Sequence, residues 1–80
     1  MWSVYLLRSE RRTEQTYVGL TRDLPRRVAE HNAGKSPHTN KFAPWRLVAY
    51  VACSNRAKAE KFEQYLKTSS GRAFSKRHLW

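Results

Sequence analysis

The sequence predicts a small α+β fold: a three-stranded antiparallel sheet flanked by helices, in the order β-β-α-β-α-α. Two strand-like segments open the chain and a third follows a helical stretch, and one sheet covered by helices is the economical way to pack them. With 80 residues, the chain is expected to form one domain over 1–80. Its 40% hydrophobic and 12% aromatic content indicates a compact core rather than a disordered basic tail.

The first two strands form a predicted hairpin. Trp2 to Arg8 is short, aromatic and aliphatic, which favours a strand. A polar connection over 9–14 follows, and Gln15 to Leu20 resumes with residues that favour strands.

The two tyrosines of this hairpin are expected to lie on one face of the sheet. If Arg8 faces Glu14 across the turn, Tyr5 faces Tyr17, and residues that face each other point to the same side. Gly19 shares that face and is expected to leave a gap beside Tyr17. The pair is interpreted either as an aromatic contact that stabilises the hairpin or as two phenols that hold a phosphate or a metal-bound water.

A helix is predicted after the hairpin. Asp23 and its neighbours offer capping side chains, Pro25 lies in the first turn, where its missing N–H does least harm, and Gly34 is a plausible stop. Two prolines, Pro37 and Pro44, indicate a loop over 35–44.

The last predicted elements are a strand and two helices. Trp45 to Cys53 is strand-like, and a capping residue at 54 or 55 begins a longer helix that ends near 67 or 68. Gly71 is expected to break that helix. Arg72 to Trp80 is predicted as a short terminal helix, anchored by Phe74 and Leu79.

The charge balance predicts a polyanionic partner. Sixteen Lys and Arg against six Asp and Glu give a formal charge of +10, and basic clusters gain affinity by displacing counterions from phosphates. The single cysteine, Cys53, excludes an intramolecular disulfide and a multi-cysteine zinc site, which suits a reducing cytoplasm. No apolar run approaches the roughly 18 residues of a membrane span, so no membrane partner is expected.

Two polar residues of the first helix share a face. Arg27 and His31 are four residues apart and lie at the margin of the apolar stripe that includes Leu24 and Val28. A guanidinium there either extends to solvent or holds a phosphate oxygen with its fork of donors, and His31 is then a second donor or a proton carrier.

Glu63 falls inside the apolar stripe of the second helix, which Ala59, Phe62 and Leu66 form. A carboxylate at a core margin is costly to desolvate unless a positive charge meets it. The candidate partners are Arg27, as a structural salt bridge, or a divalent cation. One carboxylate together with waters and a substrate phosphate is a normal arrangement for magnesium.

Two phenols, an arginine, a histidine and one carboxylate suffice for metal-assisted hydrolysis of a phosphodiester. The metal polarises the phosphate, the arginine stabilises charge and a general base activates water. The sequence shows no motif for a different chemistry: it has no Ser-His-Asp set, no nucleophilic cysteine arrangement, no P-loop and no dinucleotide fingerprint. Because the tyrosine pKa is ordinarily about 10, a tyrosine base needs nearby cations to lower it, and Arg27 and a metal are expected to do so.

These residues, in this order, resemble the GIY-YIG nuclease superfamily. Ser3-Val4-Tyr5, eleven further residues and Tyr17-Val18-Gly19 are similar to its two-part signature, with Ser3 in place of the first glycine and valine in place of isoleucine. The passage over 19–27, the histidine at 31 and the glutamate helix over 59–67 also resemble the family. An asparagine that some members carry after the glutamate has no clear match. The likeness covers essentially the whole chain and most resembles small stand-alone bacterial members.

The resemblance implies an endonuclease that cuts DNA with one divalent cation, Mg²⁺ or Mn²⁺. By that likeness, Tyr5 is the general base or positions the attacking water, and Tyr17 supports the metal's water shell or the phosphate. Arg27 stabilises the scissile phosphate, His31 assists proton movement and Glu63 holds the metal. Whether a tyrosine or His31 is the base stays open, as do the form of the nucleic acid, the pathway and the oligomeric state.

Contacts with DNA are expected on the domain's own surface. The natural phosphate contacts are basic side chains of the loop and of the C-terminal segment: Lys35, His38, Lys41, Arg72, Lys76 and Arg77. Trp45, Phe74 and Trp80 are interpreted as packing residues, with stacking on unpaired bases as the alternative.

Two other functions remain as alternatives. One is a nucleic-acid-binding module of the same fold that cleaves poorly or not at all, although a pure binder has no need of a carboxylate that faces its phosphate site. The other is a basic structural or ribosome-associated protein, which explains the charge but not the position of Glu63 within an apolar stripe.

Overall fold

A computed structural model of the protein describes residues 1–37 and 39–80. Its strands are β1 (Trp2–Ser9), β2 (Thr16–Thr21) and β3 (Trp45–Cys53). They form one antiparallel sheet in which β1 lies between β2 and β3. Its α-helices are α1 (Leu24–Asn32), α2 (Arg56–Leu66) and α3 (Ser69–His78). The predicted α+β class and the predicted order of elements are confirmed.

The register of the hairpin differs from the predicted one by two residues. Arg8 pairs with Thr16 rather than with residue 14, and Tyr5 pairs with Gly19 rather than with Tyr17. The connection keeps six residues but lies one residue later, over 10–15 instead of 9–14, because β1 extends to Ser9 and β2 begins at Thr16. A shift of two residues keeps every side chain on its face of the sheet, so the two tyrosines still share one side.

Each face of the sheet carries its own apolar cluster, because side chains alternate along β1. The face covered by α2 has a core of buried residues: Val4, Leu6, Ala59 and Leu66. The face covered by α1 has a second cluster, which includes Tyr5, Leu7, Trp45, Leu24 and Val28. Burying one such leucine stabilises the fold by about 1.5–3 kcal/mol, so both helical layers are needed to stabilise the domain.

Side chains next to the first two helices cap them as predicted. The Asp23 carboxylate accepts the backbone N–H of Arg26 at 3.2 Å, and Pro25 lies in the first turn of α1. The Asn55 side chain accepts the backbone N–H of Lys58 at 3.1 Å at the start of α2. Each cap satisfies a backbone donor that has no partner within the helix.

The expected helix break at Gly71 is wrong. The chain leaves α2 at Leu66, and α3 begins at Ser69, with the Thr68 hydroxyl accepting the backbone N–H of Gly71 at 3.1 Å. Gly71 is buried within α3, where a Cβ would overlap the backbone carbonyl of Tyr65. The glycine is therefore required for the close approach of two helices and not for a turn.

Hydrogen bonds tie the connection between α1 and β3 to both elements. The Asn32 side chain donates to the carbonyl of Trp45 at 3.1 Å and accepts its backbone N–H at 2.5 Å. The Trp45 indole N–H donates to the carbonyl of Thr39 at 2.8 Å. A 3-10 turn, Asn40–Phe42, completes the segment. These bonds hold Thr39 beneath α1.

In the part of the chain described, no helix is long and apolar enough to cross a lipid bilayer.

Candidate active site

Four of the five predicted catalytic residues meet on the α1 face of the sheet. The Tyr5 hydroxyl is hydrogen-bonded to His31 Nε2 at 2.8 Å. The Tyr17 ring centroid lies 6.2 Å from that of Tyr5 and 4.9 Å from that of His31. The guanidinium of Arg27 interacts with the Tyr5 hydroxyl. Residues from β1, β2 and α1 thus form one polar cluster, which we call the tyrosine cluster.

Gly19 sets the position of Tyr5. A Cβ at position 19 would overlap Tyr5 Cζ and the hydroxyl oxygen, because the Tyr5 ring lies over the glycine. The gap that the sequence predicts beside Tyr17 is therefore filled by the ring of Tyr5. Tyr5 is only 1% exposed, so its hydroxyl is held against His31 within a tight enclosure.

His31 is fully buried, at 0% exposure, rather than at the margin of the apolar stripe as predicted. Its Nδ1 is hydrogen-bonded to Thr39 Oγ1 at 2.7 Å, and its Nε2 contacts Tyr5. Burial lowers the pKa of His31, and the positive charge of Arg27 lowers it further. The imidazole is therefore neutral at physiological pH, with one ring nitrogen donating and the other accepting. Sequence reasoning missed Thr39, because a loop residue brought in by tertiary structure leaves no local signal.

Burial of Tyr5 outweighs the effect of Arg27, which lowers the pKa of Tyr5 as predicted. Burial raises the pKa of the Tyr5 hydroxyl, and the hydrogen bond to Arg27, which favours the phenolate, does not offset it. Tyr5 is thus a protonated phenol at neutral pH. It can act as a base only if its own proton moves elsewhere, and His31 is the acceptor in contact with it.

Arg27 is the more accessible charged member of the tyrosine cluster, with a side chain 34% exposed. Its guanidinium pairs with Glu30 at 3.2 Å, not with Glu63 as one interpretation holds. Glu30 was missed, although its position three residues after Arg27 places both on one helical face. This pair orients the guanidinium while leaving it beside the tyrosines.

The structure does not bring Glu63 into the tyrosine cluster. Glu63 lies on α2, which covers the opposite face of the sheet, and its side chain is 17% exposed. Its partner is Lys67, one helical turn later, which the spacing could have indicated. The two faces come together at the outer edge of β2, where Tyr17 and Lys67 line the same cleft.

Glu63 fits the role of a single protein ligand to a divalent cation. Its carboxylate is largely withdrawn from water, and its charge is balanced by one mobile ammonium group, that of Lys67. Across residues 1–37 and 39–80, there is no group of three or more His, Cys, Asp and Glu side chains that could enclose a metal. Magnesium held by one carboxylate, with waters and phosphate oxygens completing the shell, agrees with this donor set.

The predicted phosphate contacts are distributed over both faces. Lys35 follows α1, Lys41 lies on the 3-10 turn, and the other basic side chains lie on α3; these five residues are exposed: Lys35, Lys41, Arg72, Lys76 and Arg77. Arg72 alone among these five lines the cleft beside Tyr17. The sixth residue, His38, lies outside the described residues.

Burial of His31 makes stability depend on pH. Its pKa in the unfolded chain is near 6.5 and is lowered by folding, so the unfolded state takes up a proton first as the pH falls. The stabilising contribution of neutral His31 is present above about pH 6.5 and is lost as the pH falls through the folded pKa. We expect urea unfolding between pH 7.5 and pH 5 to show this loss in the wild type and a flatter profile in His31→Gln.

His78→Gln is the matched control for this titration, because His78 is exposed near the end of α3. It should keep the wild-type pH profile of unfolding. A His31→Gln profile as steep as that of the wild type would contradict the assignment of a buried neutral imidazole.

Comparison with known proteins gives the family. The sequence profile of the GIY-YIG catalytic domain matches residues 1–77. A UPF0213 protein of Pseudomonas aeruginosa is 37% identical over 73 residues, which cover 90% of this chain and 68% of that protein. The solution NMR structure of a UPF0213 protein from Bacillus halodurans gives a TM-score of 0.56 at 32% identity, over 95% of this chain and 81% of that one.

Longer eukaryotic proteins are also similar to the chain. The structure-specific endonuclease subunit SLX1 of Ajellomyces capsulatus is 40% identical over 65 residues, which cover 74% of this chain and 15% of that protein. The chain thus spans less than a fifth of the length of this relative. The profile match, the shared topology and the sequence identity together show that the chain belongs to the GIY-YIG nuclease family.

Proposed function

We propose that the protein is an endonuclease that hydrolyses phosphodiester bonds in DNA with one bound Mg²⁺ or Mn²⁺. The observation that carries this proposal is the hydrogen-bonded chain from Tyr5 through His31 to Thr39, beside the guanidinium of Arg27. It combines a proton acceptor with a fixed positive charge, which hydrolysis of a phosphodiester requires.

The hydrogen-bonded chain gives the attacking water a route for its proton. The water oxygen forms a bond to phosphorus and gives its proton to the Tyr5 oxygen, while Tyr5 passes its own proton to His31 Nε2. In the tautomer that this transfer requires, Nδ1–H of His31 donates to the Thr39 hydroxyl. The bond to the leaving oxygen breaks and that oxygen takes a proton from solvent, while the proton on His31 Nε2 returns through the Tyr5 hydroxyl to solvent. Tyr5 is thus the general base, and the lowered pKa of His31 keeps Nε2 ready to accept.

Arg27 stabilises the charge that develops on the phosphate. Its planar fork of donors matches two phosphate oxygens, and its exposure is greater than that of Tyr5 or His31. Glu30 holds the guanidinium on one side. Tyr17, adjacent to both Tyr5 and His31, supports the phosphate from β2.

Glu63 is the residue that holds the cation. When bound, the divalent ion polarises the phosphate and neutralises part of its charge. Lys67 pairs with Glu63, and with a cation on that carboxylate its ammonium group would be free to meet the substrate. The second candidate function is a nucleic-acid-binding module that cleaves poorly. The Glu63–Lys67 pair favours this candidate, because Lys67 balances the charge of the carboxylate without a metal.

DNA is the proposed substrate because of the charge of +10 and because SLX1 relatives are named structure-specific endonuclease subunits. The exposed basic side chains that we propose as contacts are Lys35, Lys41, Arg72, Lys76 and Arg77. A reducing cytoplasm is the proposed location, which agrees with the single unpaired cysteine, Cys53.

A cleavage assay on three DNA forms tests the proposal. End-labelled single-stranded, duplex and branched DNA are incubated with Mg²⁺, with Mn²⁺ or with EDTA. We expect the wild type to cleave at least one form with metal only, and Glu63→Gln to lower the rate by about 100-fold or more with DNA binding retained.

The matched control is Glu60→Gln on the same helix. Glu60 pairs with Arg56 at 2.7 Å, one turn away, as Glu63 pairs with Lys67. This variant should cleave at the wild-type rate. Equal cleavage by Glu63→Gln and the wild type contradicts the metal assignment, and binding without cleavage under any condition supports the binding module.

A further inference from the structure

A cleft of about 470 Å³ lies at the outer edge of β2. It is bounded by the strand, by the end of α2, by α3 and by the last residue of the chain, and its lining consists of Thr16, Tyr17, Val18, Leu66, Lys67, Arg72, Ser75 and Trp80. Sites that enclose small ligands have volumes of about 300–1,000 Å³. The cleft therefore has room for one nucleotide but not for a duplex.

The charge of this cleft suits a phosphate. Its lining includes two cations, Lys67 and Arg72, and no Asp or Glu. Lys67 directly follows α2, where it pairs with Glu63, and Arg72 lies on α3, so a phosphate between the helices meets a positive charge from each side. Two cations that focus their field in a narrow cleft attract a phosphate more strongly than isolated surface charges do.

Trp80 provides an aromatic surface in the same cleft. The ring is partly buried against the apolar core on the α2 face, which fixes its orientation. The Arg8 guanidinium lies 5.1 Å from the ring centroid, within the usual distance of a cation–π contact. Among the described residues, Arg8 Nε is buried with no hydrogen-bond partner. Arg8 does not line the cleft.

The cleft adjoins the tyrosine cluster at Tyr17 and the Glu63–Lys67 pair at Lys67. Tyr17 lines the cleft and contacts the rings of Tyr5 and His31. Lys67 lines it too and is paired with Glu63. A ligand in the cleft therefore lies beside Tyr17 of the tyrosine cluster and beside Lys67, the partner of Glu63.

We propose that the cleft takes one unpaired nucleotide of the DNA strand, adjacent to the phosphate that is cleaved. The base stacks on Trp80, and its phosphate is held by Lys67 and Arg72. A base within a duplex is stacked on its neighbours and cannot enter, so the cleft selects DNA with an unpaired nucleotide beside the cut. This assignment rests on the proposed nuclease function for its position next to the scissile phosphate.

The test measures binding of two hairpin DNAs by fluorescence anisotropy in EDTA. One DNA carries a single unpaired thymidine within its stem, and the other carries an abasic residue there. We expect the wild type to bind the thymidine DNA between about 5-fold and about 150-fold more tightly, and Trp80→Leu, which keeps an apolar side chain, to bind both equally.

Trp2→Leu is the matched control. Trp2 packs against the same apolar core and, like Trp80, contacts guanidinium groups, those of Arg22 and Arg56. It lies at the start of β1, whereas Trp80 contacts Arg8 near the end of that strand, and it does not line the cleft. It should discriminate between the two DNAs as the wild type does. Discrimination that persists in Trp80→Leu, or is absent from the wild type, overturns the proposal.

A second variant covers the case in which Trp80→Leu fails to fold. Arg72 is exposed on α3, and Arg72→Gln should weaken binding of both DNAs and reduce the slope of log affinity against log salt by about 1. An unchanged slope overturns the phosphate contact. Binding is measured without metal, so the two proposals can fail separately. If the wild type prefers the thymidine DNA but cleaves no DNA, the nuclease function alone is refuted. If it cleaves DNA but binds the two hairpins equally, the proposal for the cleft alone is refuted.

Discussion

Tyr5→Phe is expected to slow DNA cleavage by about 10²–10⁴-fold while leaving DNA affinity unchanged. The substitution removes one oxygen, the atom that contacts both His31 Nε2 and Arg27. Without it, water has no direct route for its proton to His31. The phenyl ring still fills the space above Gly19, so the sheet keeps its shape. His31 Nε2 loses a buried partner, which costs about 1–3 kcal/mol of folding stability.

Tyr50→Phe is the control for the loss of a phenolic hydroxyl. Tyr50 pairs with Tyr5 across β1 and β3, but it is 55% exposed, so its hydroxyl is not held in the tyrosine cluster. Single-turnover cleavage and anisotropy are measured for both variants. Wild-type cleavage by Tyr5→Phe would remove Tyr5 from the role of general base.

Gly71→Ala is expected to destabilise the protein by roughly 3 kcal/mol or more, which is a large part of the 5–15 kcal/mol typical of a domain. An alanine Cβ would overlap the backbone carbonyl of Tyr65 and lie 2.6 Å from the Cα of Leu66. Backbone atoms cannot rotate away as a side chain can, so α3 must separate from α2. The cleft between these helices is then lost as well.

The sign of this effect makes it a sharp test. Helix propensity alone predicts that alanine stabilises a helix by about 1 kcal/mol relative to glycine. Thermal unfolding should instead show a Tm lower by on the order of 10–20 °C. Ser70→Ala, at the exposed neighbouring position of α3, should leave Tm nearly unchanged or slightly higher. A raised Tm in Gly71→Ala would contradict the observed helix contact.

The features that could be predicted from the sequence are local ones. The third strand was predicted with its observed ends because a nine-residue segment rich in aromatic and β-branched residues lies between a proline and a capping residue. The caps were predicted to within a few residues, over 21–23 and at 54 or 55, because a capping side chain acts within three residues of its own position; the structure selects Asp23 and Asn55. The hairpin register was predicted incorrectly because it depends on where a polar turn begins and ends, and this turn has no strong turn signal.

In the candidate site, too, the local features could be predicted and the features that depend on packing could not. The spacing of Arg27 and His31 placed them on one helical face, but the depth of His31 depends on Thr39, which the connection to β3 brings beneath α1. Burial also decides the pKa of Tyr5, against the effect of Arg27. Neither degree of burial follows from spacing, because both depend on how separate elements pack.

The position of Glu63 could not be predicted for a different reason. Helical periodicity places it beside Leu66 and hence near the core, but it does not say which face of the sheet α2 covers. The structure places α2 opposite the tyrosine cluster, so the two parts can meet only around the edge of β2. The cleft that Tyr17 and Lys67 share lies at that edge.

Single-turnover cleavage by Tyr5→Phe, Glu63→Gln and the double variant tests whether both faces of the sheet contribute to one catalytic centre. Residues that act as a unit have effects that do not add. We therefore expect the double variant to cleave no more slowly than the slower of the two single variants. A double variant whose loss equals the product of the two single losses would show that Tyr5 and Glu63 act independently, and would contradict a catalytic centre assembled around the edge of β2.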